Sequence, residues 1–399
     1  MTADAGTLGR RGLRRVLAVL CGTEIVSWGV LYYAFPVLAP AMVAETGWSV
    51  GTVTAAFSLG LTVAALAGIP VGRWLDRFGP RRVMTAGSVI AVPAVVGIAT
   101  APTVGWFFVA WTVAGLAMAG VLYPPAFAAL TRWWGPRRVT ALTALTLLAG
   151  LASTIFAPVT AALVAHLSWR QSYLVLAAVL AVVTVPAHLF GLRGPWPAPE
   201  PSGGPGAHDR APNAVARSRP FLLLVPAIAL GTFAAFAVVV NQVPLLIERG
   251  LSTTEAAWAL GLGGLGQMMG RLGYTTLTGR TGVRARSVLV LGALAAATGL
   301  LALLPGPAVV LVAAAMLAGA ARGVFTLLQA TAVSDRWGAS HYGRLNGLLL
   351  APAMVATALG PWAGAALSEV LGGYPAVFVL LAGVAAVAAL LATGTVPRR

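Results

Sequence analysis

Apolar residues run in blocks of about twenty along this chain, and the polar residues gather between the blocks. Residues 52–71 carry no charge, 72–82 read Gly-Arg-Trp-Leu-Asp-Arg-Phe-Gly-Pro-Arg-Arg, and 83–101 are uncharged again. At 1.5 Å rise, about 20 apolar residues cross a hydrocarbon layer roughly 30 Å thick. The pattern therefore predicts two membrane helices joined by a short basic turn, with Gly79-Pro80 reversing the chain. Followed through the chain, it predicts twelve spans. Six lie at 16–43, 52–71, 83–101, 104–129, 139–164 and 171–192, and six at 220–247, 255–278, 287–304, 307–332, 344–367 and 374–393.

The polar punctuation repeats. A gap-free shift of 203 positions carries Glu45, Gly47 and Ser49 onto Glu248, Gly250 and Ser252, and Arg77, Gly79 and Arg81 onto Arg280, Gly282 and Arg284. It also carries Gly60 onto Gly263, Gly120 onto Gly323, Trp134-Gly135 onto Trp337-Gly338, and Pro158 onto Pro361. Gly and Ala coincide often in any apolar chain, but Trp, Pro and Glu do not. The expected fold is all-α: twelve transmembrane helices in two pseudo-symmetric six-helix bundles, 1–192 and 220–399. The segment 193–219 between them, rich in Pro, Gly and Ser, reads as a flexible cytoplasmic linker. Small residues inside spans, such as Gly115, Gly120, Gly319 and Gly323, are expected to serve close helix packing more than binding.

Composition sharpens this picture. Of 399 residues, 59% are hydrophobic and 9% charged, with a mean hydropathy of +0.88. A soluble domain carries about 25% charged residues. The net charge is +16 and all 26 basic residues are Arg. They sit in short loops and not on one polar face, so nucleic acid is excluded as a partner. Twenty-two arginines fall on one side of the predicted topology and two on the other, Arg170 and Arg249, while Arg271 and Arg322 lie inside spans. The positive-inside rule then places both termini in the cytoplasm of a multi-pass protein. With the Arg-, Ala- and Gly-rich usage, this points to a bacterial cytoplasmic (inner) membrane. The single cysteine, Cys21, allows no internal disulfide. Arg10, Arg11, Arg14 and Arg15 before an apolar run mimic a signal peptide. The run is too long and lacks a cleavage site, so it reads as an uncleaved first helix.

The loop Gly72-x-x-x-Asp76-Arg77-x-Gly79-x-Arg81-Arg82 resembles the signature between the second and third helices of the major facilitator superfamily of secondary transporters. In the second half Gly279 stands where the first has Asp76. Within that superfamily the chain resembles the monocarboxylate and oxalate/formate type. The residues are Ser27-Trp28-Gly29, Tyr33-Ala34-Phe35-Pro36, Gly47-Trp48-Ser49 and Gly270-Arg271. The resemblance implies that two bundles rock around a central site, that Arg271 binds a substrate carboxylate, and that Asp76 latches the cytoplasmic side. Two departures are Val37, where the monocarboxylate branch has Lys, and Gln267, where it has an acid.

Ionisable groups at membrane depth cost at least about 2.5–3.5 kcal/mol each, so each becomes a site candidate. Glu24, Trp28 and Tyr32 share one helical face at i, i+4 and i+8. Glu24 takes up a proton, fixes a cationic group, or simply bonds a neighbouring loop or Arg. Arg271, one turn after Gln267, offers a planar fork of donors suited to a carboxylate. It could instead be a structural arginine, snorkelling or pairing with Glu24. Arg322, with Thr326 and Gln329 on its face, is a second anion candidate. Tyr123, Asn241 and Gln242 could hydrogen-bond a ligand. The candidate gate comprises Asp76, Arg77, Arg81, Arg132 and Asp335. No catalytic constellation, metal cluster, cofactor motif or phosphate loop is legible, so the chain reads as no enzyme.

The favoured function is alternating-access transport of a small organic anion by a functional monomer, as symporter or antiporter, with protons as the candidate coupling ion. Proton-driven efflux of hydrophobic compounds is the first alternative. A non-transporting membrane sensor is the second.

Overall fold

The computed structural model describes residues 8–196, 212–338 and 342–397. Among these it is helical throughout, without strands. Contacts divide the chain into two compact units, Met1–Ser202 and Gly203–Arg399. The first holds α1 (Arg10–Thr46), α2 (50–78), α3 (80–99), α4 (Val104–Trp134), α5 (Thr140–His166) and α6 (Trp169–Gly191). The second holds α7 (Arg219–Glu248), α8 (Thr253–Arg280), α9 (Val283–Leu303), α10 (Ala308–Thr331), α11 (Tyr342–Leu371) and α12 (Tyr374–Ala392).

Ten helical runs among the described residues are long and apolar enough to cross a membrane. Val50–Ala99 is one continuous run of 50 residues that turns at Gly79 (φ 74°, ψ 166°), so it counts twice. That backbone region disfavours any residue with a Cβ, and Pro80 follows as the first residue of α3, where its missing N–H has no partner to lose. The basic turn expected over 72–82 is thus confined to Gly79, and Asp76 and Arg77 ride on the last turn of α2. The twelfth helix, α8, is less apolar than the others because it contains seven glycines, Gln267 and Arg271.

The repeat is visible in matching local devices. Ser49 Oγ accepts from the Thr52 N–H at 3.1 Å and caps α2. Ser252 Oγ accepts from the Glu255 N–H at 3.2 Å, and Glu255 returns a bond to the Ser252 N–H at 2.8 Å, a capping box on α8. Gly47 and Gly250 both take positive φ (69° and 92°) at the ends of the first helices. Glu45 and Glu248 each tie the first helix of a unit to the start of the sixth. Glu45 binds Arg170 at 2.8 Å, and Arg170 also donates to the Ala99 and Ala101 carbonyls at 2.9 Å. The position equivalent to Arg170 is Gly373, and Glu248 instead accepts from the Tyr374 backbone N–H at 2.8 Å.

Helix pairs cross at glycines. A Cβ on Gly115 would lie 2.2 Å from the Gly60 carbonyl oxygen, bringing α2 and α4 backbone to backbone. In the second unit a Cβ on Gly319 would lie 1.8 Å from the Gly263 oxygen, and one on Gly323 2.1 Å from the Gln267 oxygen. Such contact replaces the hydrophobic drive that lipid removes.

The ends of the 193–219 segment are ordered. Residues up to Trp196 pack on the first unit, and Pro212–Ala216 form a short helix. Residues 197–211 lie outside the described residues.

Candidate substrate sites and gate

The first unit gathers one group of candidates. Glu24 is fully buried (0% exposed). Neither carboxylate oxygen meets a partner at hydrogen-bonding geometry among the described residues. The polar group facing it is the Trp28 indole, one turn on. Trp28 lies 5.4 Å from the Tyr32 ring and 5.0 Å from Tyr123, which α4 contributes. Tyr32 in turn meets Phe57 edge-on at 5.4 Å. Edge-to-face pairs at these distances are favourable beyond their buried area. The helix does not run evenly through this face: Gly29–Tyr33 is a π-turn, a feature frequent at functional sites. Gly29 lets the Phe156 ring pack directly against this turn, because a Cβ there would fall 2.2 Å from it.

The second unit gathers the arginines. Arg271 and Arg322 are each only 8% exposed. Arg322 Nε donates to Gln267 Oε1 at 2.8 Å, so the glutamine one turn before Arg271 orients the other arginine. Arg322 lines a narrow cavity with Gln242, whose side-chain amide nitrogen is buried and meets no acceptor among the described residues. No carboxylate lies within ion-pair distance of Arg322 among the described residues. A guanidinium held by a neutral glutamine beside an unused amide donor is a site with donors in excess. Asn241 serves a different end: its amide donates to the Ala237 and Pro361 carbonyls at 2.9 and 3.2 Å and pins α7 to α11.

The gate candidates form one ion pair in each unit, at the arginine-rich end. Asp76 pairs with Arg132 from the end of α4. In the second unit, where Gly279 replaces the acid, Asp335 pairs with Arg286. Asp335 is the repeat partner of Arg132, but Arg286 corresponds to Val83, so each unit has an ion pair at this end with only one of its two positions repeated. The two pairs differ in wetness. Arg132 and Asp76 side chains are 17% and 59% exposed, against 6% and 25% for Arg286 and Asp335. Arg336 joins the second pair's surroundings, donating to Ser287 and to Thr395. Burial pulls the Arg336 guanidinium down to about 10, against the charge of Asp335, and it stays protonated at neutral pH. Arg81 Nε donates to the Leu189 carbonyl at 2.8 Å, and Arg77 stands over Phe78 at 5.2 Å.

One participant was not legible beforehand. Trp196, in the segment read as linker, lies 4.6 Å under the Arg132 guanidinium and donates its indole N–H to the Asp76 carbonyl at 3.1 Å. It also covers Gly79, where a Cβ would sit 3.2 Å from its ring. Trp133 meets it edge-on at 5.6 Å and donates to the Pro195 carbonyl. An aromatic in an otherwise Pro/Gly-rich stretch is the only advance signal. His188, one of the scattered histidines, is buried with Nδ1 2.8 Å from Ser88 Oγ, joining α6 to α3.

These paired helical units with a repeated loop between the second and third helices match a family model described as Major Facilitator Superfamily, over residues 20–312 and 248–399. The chain belongs to the Major Facilitator Superfamily. Its long apolar helices make it a multi-pass membrane protein of that transporter family. Among curated relatives, it is 27% identical over 249 residues to monocarboxylate transporter 13 of Bos taurus, covering 62% of this chain and 55% of that one. It is 28% identical over 130 residues to the MFS-type transporter YcxA of Bacillus subtilis, covering 31% of each. The matched stretches thus span about half or less of those relatives' lengths. Solved structures share the fold. The nucleoside transporter NupG superposes with a TM-score of 0.77 at 16% identity, covering 96% of this chain and 99% of that one. A bacterial homologue of the human lysosomal transporter Spinster gives 0.74 at 16% identity, covering 96% and 97%. At such identities only the fold of this major facilitator is shared.

Proposed function

We propose that this major facilitator moves a small, monocarboxylate-like organic anion by alternating access, coupled to protons or by exchange. Its bodies are the bundles 1–192 and 220–399, and its arginine-rich end faces the cytoplasm of a bacterial inner membrane. The observation that carries this reading is Arg322, buried, oriented by Gln267 and beside the unused amide of Gln242. A carboxylate accepts the parallel donors of a guanidinium in bidentate fashion. It also supplies the negative charge that no described side chain brings to Arg322. The monocarboxylate transporter among the relatives supports the same substrate class.

The test is a substrate panel in proteoliposomes with an imposed pH gradient. Monocarboxylates should accumulate or exchange, and should compete with one another. Uptake of neutral nucleosides alone, with anions neither carried nor inhibitory, would end the reading.

A second reading rests on its own observation, the buried Glu24 beside Trp28, Tyr32 and Tyr123. That arrangement suits proton-driven efflux of a hydrophobic cation. The same panel separates the two, because drug-like cations would then be carried and anions ignored.

The Asp76–Arg132 pair, which ties α2 to α4 within the first unit, holds Asp76 in place as the first bundle's side of the inner latch. Exposed ion pairs are worth about 0–1 kcal/mol, and 1 kcal/mol is about a factor of five in an equilibrium. Asp76→Asn is therefore expected to change initial transport rates about fivefold while the melting temperature stays close to that of the parent. Rates unchanged in Asp76→Asn would remove the latch.

A further inference from the structure

At the arginine-rich end of the second unit, α7, α9 and the chain after α12 line two adjoining open grooves of about 620 and 840 Å³. Arg219 and Pro220 line one side of the first, Thr393, Gly394 and Pro397 its other side, and Arg284 and Val396 belong to both. The second cleft is apolar otherwise, walled by Val283, Val288 and Leu289 of α9. Leu289 is 53% exposed on the outside of the helix.

The charge balance here is one-sided. Arg219 and Arg284 are exposed, and neither is in an ion pair among the described residues. Neither α7 nor α9 carries an acid in its first turn. The described acids of this unit are Glu248, Glu255, Asp335 and Glu369. Asp335 is held by Arg286. Glu248 sits against the start of α12, Glu255 caps α8, and Glu369 precedes the α11–α12 turn, all at the opposite end. Two guanidiniums with no counter-charge among the described residues therefore flank a cleft that opens onto an apolar wall. They sit at the first turns of two apolar helices, α7 and α9.

We propose that this cleft binds an anionic phospholipid. The headgroup phosphate lies between Arg219 and Arg284, accepting from both guanidiniums, and an acyl chain runs along Val283, Val288 and Leu289. A soluble anion would satisfy the arginines but leave that wall bare. A zwitterionic lipid would cover the wall but bring its own cation to the arginines. Basic residues near a membrane surface attract anionic lipid by about 1 kcal/mol each. Two of them convert to roughly 30-fold tighter binding than that of a zwitterionic lipid with the same chains.

The experiment uses the full chain in detergent. Its melting temperature is read as phosphatidylglycerol, phosphatidylcholine of identical acyl chains, or inorganic phosphate is added. Native mass spectrometry counts the retained lipids. Phosphatidylglycerol should stabilise the parent and remain bound, while the other two should have little effect. Arg219→Gln/Arg284→Gln should melt as the parent does without lipid and lose the phosphatidylglycerol response. Arg280→Gln, outside the cleft, should keep it. An equal response to phosphatidylcholine or to phosphate, or a full phosphatidylglycerol response in the double variant, overturns the proposal. If the double variant does not fold, the Arg219→Gln and Arg284→Gln single variants must each weaken the response, and an unchanged response in both overturns it equally.

Discussion

Arg322→Ala is expected to weaken anion binding by about 10- to 150-fold, with folding preserved. A hydrogen bond to a charged group contributes about 1.5–3 kcal/mol, and each 1.4 kcal/mol is tenfold. The loss should appear as a raised KM for anion uptake. Arg322→Lys should not rescue it, because an ammonium cannot present the planar fork that a carboxylate accepts. Gln267→Ala should fall between the two extremes, since it leaves the guanidinium in place but removes the acceptor that orients Nε. Arg271→Ala should also collapse anion uptake, as the family resemblance implies, whereas efflux of neutral or cationic compounds would survive it. Transport kinetics in proteoliposomes, with melting temperatures alongside, check all four. Anion uptake that survives both arginine-to-alanine changes would sink the proposed site.

Gly319→Val is expected to prevent accumulation of folded protein. The Cβ would need to occupy a point 1.8 Å from the Gly263 carbonyl oxygen. That obstacle is backbone, not the flexible end of a side chain, so α8 and α10 must separate. Overpacking typically costs about 1–3 kcal/mol, and this contact should meet or exceed the upper figure. Gly319→Ala should show the milder form of the same fault: a lowered melting temperature and impaired anion uptake together. The coupling has a local cause. Gln267 and Arg322 sit on the two helices that would part, and Gly323, next to Arg322, is pressed against the Gln267 carbonyl. Gly273→Ala on α8, where nothing lies within 4 Å, serves as the control and should be neutral. Size-exclusion profiles and thermal melts read the result. A Gly319→Val protein that folds and melts normally would refute the close crossing.

The reach of the sequence differs between the fold and the sites. The 20-residue apolar blocks predicted all twelve helices, α8 included although its glycines, Gln267 and Arg271 make it the least apolar of them, and the 203-residue shift predicted their duplication. The reason is physical: a bilayer accepts only long apolar helices, so the pattern is written in one dimension. Glu24, Trp28 and Tyr32 also shared a face on spacing alone. The addition of Tyr123 from α4 did not follow from spacing, and neither did the π-turn at Gly29–Tyr33. Likewise, Gln267 was read as the neighbour of Arg271 along the helix. In space it faces Arg322, 55 residues away, because glycine crossings bring α8 and α10 together.

By itself, then, the sequence determined the spans, their duplication, the family and the short roster of polar residues at membrane depth. Those depend on local hydrophobicity, helical periodicity and motif. Tertiary structure alone decided which polar residues meet. It paired Asp76 with Arg132, and Asp335 with Arg286. It assigned Asn241 to packing and laid Trp196 over the Asp76–Arg132 pair. Each of these needs two or more helices at a particular crossing, and a crossing depends on side-chain volumes from distant parts of the chain, which no local pattern encodes.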